Sequence, residues 1–367
     1  MPSIYVIPLL FLVAIILIKL MQCVPVGVMS GVNESRFSNL DGFRGVLAFL
    51  VYIHHSVIAY RYYFIDRMWV LPDDRILGLI GQFAVSGFFC LTGFLFWSKI
   101  LNNGKIDVVD FFKGRIARVY PAYLSSVIFL VFLVFVKSDF KLSVPLSDFF
   151  REIFSWLLLG TSGSPDINGV NQTGVLNAYV FWTLKYEFYF YLSLPLLSLF
   201  VRPVMFLLLV PLITLYYTWY ATDYVVIYFI IGAICSYSRK IKFVSIFCGG
   251  FGGGLSLLFF LANYFIKCDT AYSWYGILMS MPIMFIILNG GGLFNLLTNS
   301  CFRFLGEISY SLYLFHGMVI FIVFSLLGEY MGYVCLMVLT TISIIILSTI
   351  SYLKVERPFI RYFNRAR

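Results

Sequence analysis

Apolar runs of bilayer-crossing length recur almost without pause along this chain, parted by short polar stretches that hold most of its charge. A hydrocarbon core about 30 Å thick takes about 20 apolar residues of helix to cross. By that measure eleven spans can be drawn, at roughly residues 4–21, 45–63, 77–98, 119–136, 180–200, 203–220, 224–238, 243–262, 274–290, 308–327 and 331–350. The expected fold is an all-α polytopic membrane protein, with no intervening stretch long enough for a soluble second domain. The first span lacks a basic leading segment, and nothing around Cys23-Val24-Pro25 resembles a small-residue cleavage site, so a retained helix is predicted.

The longest polar interval, residues 138–178, opens on an amphipathic stretch. Phe150, Phe154 and Leu157 recur there at helical spacing, and Phe149 and Trp156 widen the apolar face. Pro145–Leu159 is thus predicted to be a short helix lying on the membrane surface. Gly160–Asn177 is rich in Ser, Gly, Asn and Thr and predicts a loop, either a plain connector or a contact for a polar acceptor. The glycine groups at 249–254 and 289–292 lack the lysine and strand context of a phosphate loop; they fit close helix packing or a flexible helix end.

Composition agrees with the pattern: 61% of residues are hydrophobic and 12% charged, against about 25% charged in soluble domains. The net charge of +9 does not point to nucleic acid, because the basic residues sit in short inter-helix loops and at the C-terminus rather than on one soluble face. Arg61, Arg67, Arg75, Lys137, Lys141, Arg151, Lys185 and Lys267 fall on one side of the drawn topology, and the other 18 of the 26 basic residues on the opposite side. The positive-inside rule then puts the N-terminus outside and the C-terminus in the cytoplasm. The seven cysteines show no CxxC or paired spacing, so neither a disulfide frame nor a metal site is expected.

Against this background the three histidines stand out, since all of them lie in membrane-depth stretches. Ionisable groups there are costly and raise a functional hypothesis, although a neutral histidine can also cross-link packed helices. The second span runs from Asp41, able to cap the helix and pair with Arg44, to His54 and His55. Eleven residues of helix separate Arg44 from His55, about 16 Å and almost three whole turns, which puts both on one stripe with His54 about 100° away. Arg115 and Arg118, at i and i+3, share a face just before Pro121. Glu187, among aromatics, is placed about 10 Å below the outer surface. Ser309, Tyr313 and His316 lie close to one face, with His316 about 12 Å deep from the other side. The histidines and Glu187 are therefore expected at similar depths on three helices.

These residues fall in motifs that resemble those of the acyltransferase-3 family of bacterial membrane proteins. Leu40-Asp41-Gly42-Phe43-Arg44 with His55 is similar to the family's opening Leu-Asp-Gly-Leu-Arg and the histidine eleven residues after its arginine. Phe88-Phe89-Cys90-Leu91-Thr92-Gly93-Phe94-Leu95 resembles its Phe-Phe-x-x-Ser-Gly-Phe-Leu segment, with threonine for serine. Arg115, Arg118, Pro121 and Tyr123 match Arg-x-x-Arg-x-x-Pro-x-Tyr; Trp182, Thr183, Leu184, Glu187 and Phe190 match Trp-Ser/Thr-Leu-x-x-Glu-x-x-Phe/Tyr. Gly306, Ser309, Tyr310, Tyr313, Leu314 and His316 match Gly-x-x-Ser-Tyr-x-x-Tyr-Leu-x-His, and Glu356-Arg357-Pro358 resembles the closing Glu-x-Pro. The resemblance implies a core of about ten helices over residues 36–360, with residues 1–30 an extra N-terminal helix and linker.

It further implies transfer of an acetyl group from cytoplasmic acetyl-CoA to a hydroxyl of a surface or lipid-linked polysaccharide such as O-antigen, in the bacterial inner membrane. Acetyl-CoA is then a substrate, and no permanently bound cofactor is expected. His55 would be the general base or, alternatively, the residue that carries the acetyl group. Arg44, Arg115 and Arg118 would hold the anionic donor; Glu187 and His316 would orient His55 or the sugar, or form a relay. Asp41, Tyr123, Trp182, Ser309 and Tyr313 would support the site. The residues leave open a succinyl or other acyl group, a glycan or lipid transporter with no acyl transfer, and an assembly protein with internal polar cross-links. They leave the oligomeric state open too.

Overall fold

The computed structural model describes residues 4–23, 38–104, 107–202, 224–238, 250–265, 270–291 and 293–365. The expected span at 203–220, and Arg36, Lys105, Arg239, Lys240, Lys242, Lys267 and Arg367, lie outside these residues. The described chain is built of helices: α1 (Val6–Cys23), α2 (Ser38–Phe64), α3 (Arg75–Asn103), α4 (Val108–Lys137), α5 (Leu146–Leu157), α6 (Trp182–Leu197) and α7 (Ile227–Ser238). There follow α8 (Gly250–Phe265), α9 (Trp274–Leu288), α10 (Ser300–Glu307), α11 (Ser309–Leu327), α12 (Tyr333–Ser351) and α13 (Arg357–Arg365). One turn of π-helix, Tyr352–Glu356, joins the last two.

Among the described residues, five helices are long and apolar enough to cross a membrane: α2, α3, α4, α11 and the continuous Tyr333–Phe363. Shorter apolar helices cover Val6–Gln22, Tyr224–Ser238, Phe251–Ala262 and Trp274–Leu288. The protein is all-α and multi-pass. Where the sequence pattern suggested uniform spans, several elements are shorter; α6 has 16 residues and contains Pro195, and α9 has 15 and contains Pro282. Proline removes a backbone donor, and such interruptions are tolerated at membrane depth where neighbouring protein re-satisfies the freed groups.

Local chemistry sets the helix ends. The Asp74 carboxylate caps α3, accepting from the Ile76 and Leu77 N–H groups at 2.9 and 3.2 Å. Gly104 closes the same helix with φ 74°, its N–H donating to the Ile100 carbonyl. Asp41 lies inside the first turn of α2 rather than at its cap, where it still complements the helix dipole.

The helices pack around α2, which meets α3, α10 and α11; α3 in turn packs on α7, and α11 on α12. Small residues bring two of these crossings to backbone contact. A Cβ at Gly42 would run into the Leu297 carbonyl and one at Gly306 into the Asp41 carbonyl, locking α2 to the start of α10 and its end. Across α3 and α7, Gly93 faces the Phe229 carbonyl and Gly232 the Cys90 carbonyl. Close approach of this kind stands in for the hydrophobic drive that lipid does not supply. Polar pins add to it: Tyr52 donates to the Met337 carbonyl at 3.1 Å, tying α2 to α12, and Tyr228 to the Ala271 carbonyl at 2.7 Å. The glycines of 250–254 open α8, with Gly253 against the Phe294 ring, and Asn289 caps the C-terminus of α9.

The interval after α4 is more ordered than its composition suggested. The amphipathic helix forms as α5, with Leu146, Phe150 and Phe154 exposed and Trp156 buried. Residues 160–178 do not spread over the surface. They fold back in turns, with Ile167, Asn168 and Thr173–Ala178 buried and Gly317 of α11 in direct contact with the backbone of Asn177 and Ala178. The Thr173 hydroxyl accepts from Ile167 N at 3.0 Å and the Asp166 carboxylate from Thr173 N at 2.9 Å, so the buried backbone is satisfied locally.

The α3–α7 crossing gives a direct test of these contacts. Gly232→Val is expected to cost about 1–3 kcal/mol or more through overpacking, read as reduced accumulation and a lower melting temperature in detergent. Gly254→Ala, with open space around it, should melt within about 0.5 kcal/mol of the native protein.

Candidate active site

Two of the three histidines meet at the centre of the bundle. His55 on α2 and His316 on α11 approach to 2.9 Å between Nδ1 of the first and Nε2 of the second. Their ring planes differ by only 16° and the centroids lie 5.1 Å apart, so the imidazoles meet edge to edge in nearly one plane. The other nitrogen of His316, Nδ1, is 3.2 Å from the Leu312 carbonyl. A carbonyl can only accept, which assigns the proton of neutral His316 to Nδ1 and leaves its Nε2 as an acceptor. His55 must then donate from Nδ1, and its Nε2 is left with a lone pair. His316 is fully buried, whereas His55 is partly exposed.

The exposed side of His55 faces aromatic residues. The Trp69 ring lies 6.3 Å from it at 25°, and Tyr62 and Tyr179 pack on Trp69 at 5.8 and 6.0 Å. The segment carrying Trp69 is drawn in by Arg61, which donates to Asp66 at 2.7 Å and to Asp73 at 2.9 Å. Ala178 and Tyr179 adopt left-handed φ values of 55° and 54°. Such strain costs about 1–3 kcal/mol per residue and clusters at functional sites. The sequence offered no signal for Trp69 or Tyr179 beyond their being aromatic.

A cavity of about 290 Å³ is lined by residues of α2, α3, α4, α6 and α11; neither histidine is in its wall, and Tyr313, whose ring meets His316, links the two. Arg44, Lys99, Arg115 and Arg118 make its charged end, and Thr183 and Tyr313 also line it. Arg44 pairs with Asp41 at 3.2 Å as expected, and Arg115 lies over the Phe96 ring at 4.9 Å. Tyr313 sits between cavity and histidines: its hydroxyl bonds Thr183 at 2.7 Å and donates to the Val180 carbonyl at 3.0 Å, while its ring meets His316 at 6.0 Å.

Glu187 lines this basic cavity instead of touching the histidine pair. Its carboxylate accepts from the Tyr191 hydroxyl at 3.1 Å and the Thr92 hydroxyl at 3.5 Å. His54 turns away, its Nδ1 donating to the Leu77 carbonyl at 2.7 Å while the ring packs on Gly81, a cross-link between α2 and α3. Ser309 lines the cavity and donates to the Gly306 carbonyl at 2.8 Å. Tyr123 and Trp182 are absent from its walls; Tyr123 is buried with its hydroxyl donating to the Trp156 carbonyl, and Trp182 packs against Tyr186 and Tyr272.

Comparison with known proteins agrees with the motif reading. The chain is 34% identical over 173 residues to the acyltransferase MdmB of Streptomyces mycarofaciens, an alignment covering 46% of this chain and 41% of that protein. It is 27% identical over 166 residues to the O-acetyltransferase OatA of Staphylococcus aureus, covering 44% of this chain and 25% of that one. A protein of the picA locus of Rhizobium radiobacter is 31% identical over 128 residues, 34% of this chain and 60% of that protein. The chain thus aligns with less than half the length of the first two relatives. No solved structure matches it significantly. The acyltransferase domain that defines the acyltransferase-3 family matches residues 37–353, nearly the whole of this chain, which belongs to that family.

Proposed function

We propose that the protein transfers an acyl group from acyl-CoA, entering at the basic end of the cavity, to a hydroxyl of a surface or lipid-linked glycan on the opposite side. The observation that carries this reading is the histidine pair, whose tautomers leave His55 Nε2 as a free base. Acetyl is the preferred acyl group, since a relative bears the name O-acetyltransferase and the motifs resemble those of acetyl-transferring proteins. Arg44, Arg115 and Arg118 suit the phosphates of coenzyme A, because guanidinium forks bind phosphate in two-point hydrogen bonds.

The chemistry needs one proton acceptor. The glycan hydroxyl oxygen attacks the thioester carbonyl, its proton passes to His55 Nε2, and the carbon–sulfur bond breaks. The departing thiolate takes that proton and leaves as the coenzyme A thiol. As His55 becomes cationic its Nδ1–H bond to His316 Nε2 strengthens, so His316 acts as the orienting partner of the base. In this reading Glu187 tempers the charge of the donor cavity and takes no part in proton transfer. With this reading go a topology of eleven spans, the basic residues of the cavity facing the cytoplasm in keeping with the positive-inside rule, and a place in the bacterial inner membrane.

His55→Ala should lower glycan O-acetylation by membranes about 10²–10⁴-fold with protein levels maintained; activity near the native rate would remove His55 from the reaction. His316→Gln, which can still accept from His55, is expected to keep about ten times the activity of His316→Leu. His54→Ala should leave the rate near native while lowering the melting temperature. For topology, Asn171→Cys should react with an impermeant maleimide on intact cells, and Asn103→Cys only after the membrane is opened, both in a background lacking exposed Cys335. The reverse pattern would invert the proposed orientation.

A further inference from the structure

The donor cavity has an antechamber. A second cavity of about 320 Å³ shares Phe96, Lys99, Arg115 and Arg118 with the first, and its remaining wall comes from the opening of α4 and from α13. Lys113 adds a further cation there, and Tyr362 and Phe363 of α13 add two aromatic rings. Their centroids are 5.6 Å apart and their planes cross at 83°, so the chamber is offered two ring faces of different orientation. Asp110, in the first turn of α4, is the one carboxylate on the wall among the described residues.

Four cations with paired aromatics are poorly suited to an apolar chain. They suit a phosphorylated purine nucleoside, whose base stacks on ring faces while its phosphates meet Lys and Arg. Each chamber approaches the lower end of the usual size range of ligand sites, about 300–1,000 Å³. The shared Arg115 and Arg118 then fall where the two halves of a long ligand would join. We infer that this chamber binds the 3′-phosphorylated adenosine end of the donor, with adenine against Tyr362 and Phe363 and the 3′-phosphate toward Lys113 and Lys99. The inference rests on the acyl-CoA reading above and extends it: α13, beyond the span that precedes it, is part of the donor site. An adenosine monophosphate lacking the 3′-phosphate would bind in the same place but more weakly.

The test uses purified full-length protein in detergent, with adenosine 3′,5′-bisphosphate as probe. It should compete with acyl-CoA in the transfer assay, with an inhibition constant about tenfold below that of adenosine 5′-monophosphate. Phe363→Ala and Lys113→Ala should each raise the KM for acyl-CoA and that inhibition constant by about tenfold, with the loss in KM and not in kcat. Phe363→Trp, which keeps a ring face, should restore both. A bisphosphate that fails to compete, or an unchanged KM in both alanine variants, overturns the inference. So would competition by phosphatidylglycerol vesicles with none by the bisphosphate, which would make the chamber a lipid-headgroup site. Wild-type competition needs no variant and therefore survives any folding defect. Binding of the bisphosphate by equilibrium dialysis, without acyl transfer from acyl-CoA, would uphold the chamber and sink the proposed reaction instead.

Discussion

In an apolar interior every hydrogen-bonding group must find its partner within the protein, and an unpaired one costs several kcal/mol. The contact between His55 and His316 satisfies that demand with neutral groups alone. Each ring donates one N–H, His316 Nε2 accepts from His55, the Leu312 carbonyl ends the series, and no counter-ion is needed. The requirement reaches outward into the fold. α2 and α11 must stay in register for the imidazoles to remain coplanar, and α2 is held by glycine contacts to α10 and by Tyr52 to α12. His54 does the same work one residue away without chemistry, pinning α2 to α3 through the Leu77 carbonyl. Two adjacent histidines thus find different partners, Leu77 on α3 and His316 on α11, by which face of the helix they occupy.

The cavity adds a second constraint, because four basic side chains in a partly enclosed space repel one another. Asp41 and Glu187 moderate this, Asp41 by pairing with Arg44 and Glu187 from the cavity wall with Thr92 and Tyr191 as donors. The result remains net positive, which is what an anionic ligand requires.

How far the sequence could be read depended on whether an inference stayed within one helix. Arg44 and His55 on α2, the Asp41–Arg44 pair and the amphipathic α5 follow from a fixed rise and turn. Which helices are neighbours does not, and the His55–His316 bond joins residues 261 positions apart. Glu187 was placed near the outer surface because its span was drawn from residue 180 inward. α6 carries Glu187 into the wall of the cavity that the arginines line. The loop before α6 was predicted from its polar composition, as a connector or a contact for a polar acceptor; its side chains cap its own backbone, and much of it is buried. Tyr123 and Trp182 matched motifs but serve helix and loop packing, a distinction that spacing cannot make.

One carbonyl has a wider reach than its size suggests. Val180 O accepts from Tyr313 on the cavity wall and from Thr183 at the start of α6, and it belongs to the strained segment that carries Tyr179 over Trp69. The aromatic cluster around Trp69 and the basic cavity are therefore coupled to one another through a single peptide unit. A displacement of about 1 Å at Val180 would weaken both hydrogen bonds to the cavity wall, since these lose their strength over that range, and would shift the adjoining Tyr179. Neither side of the site can be reshaped in isolation from the other.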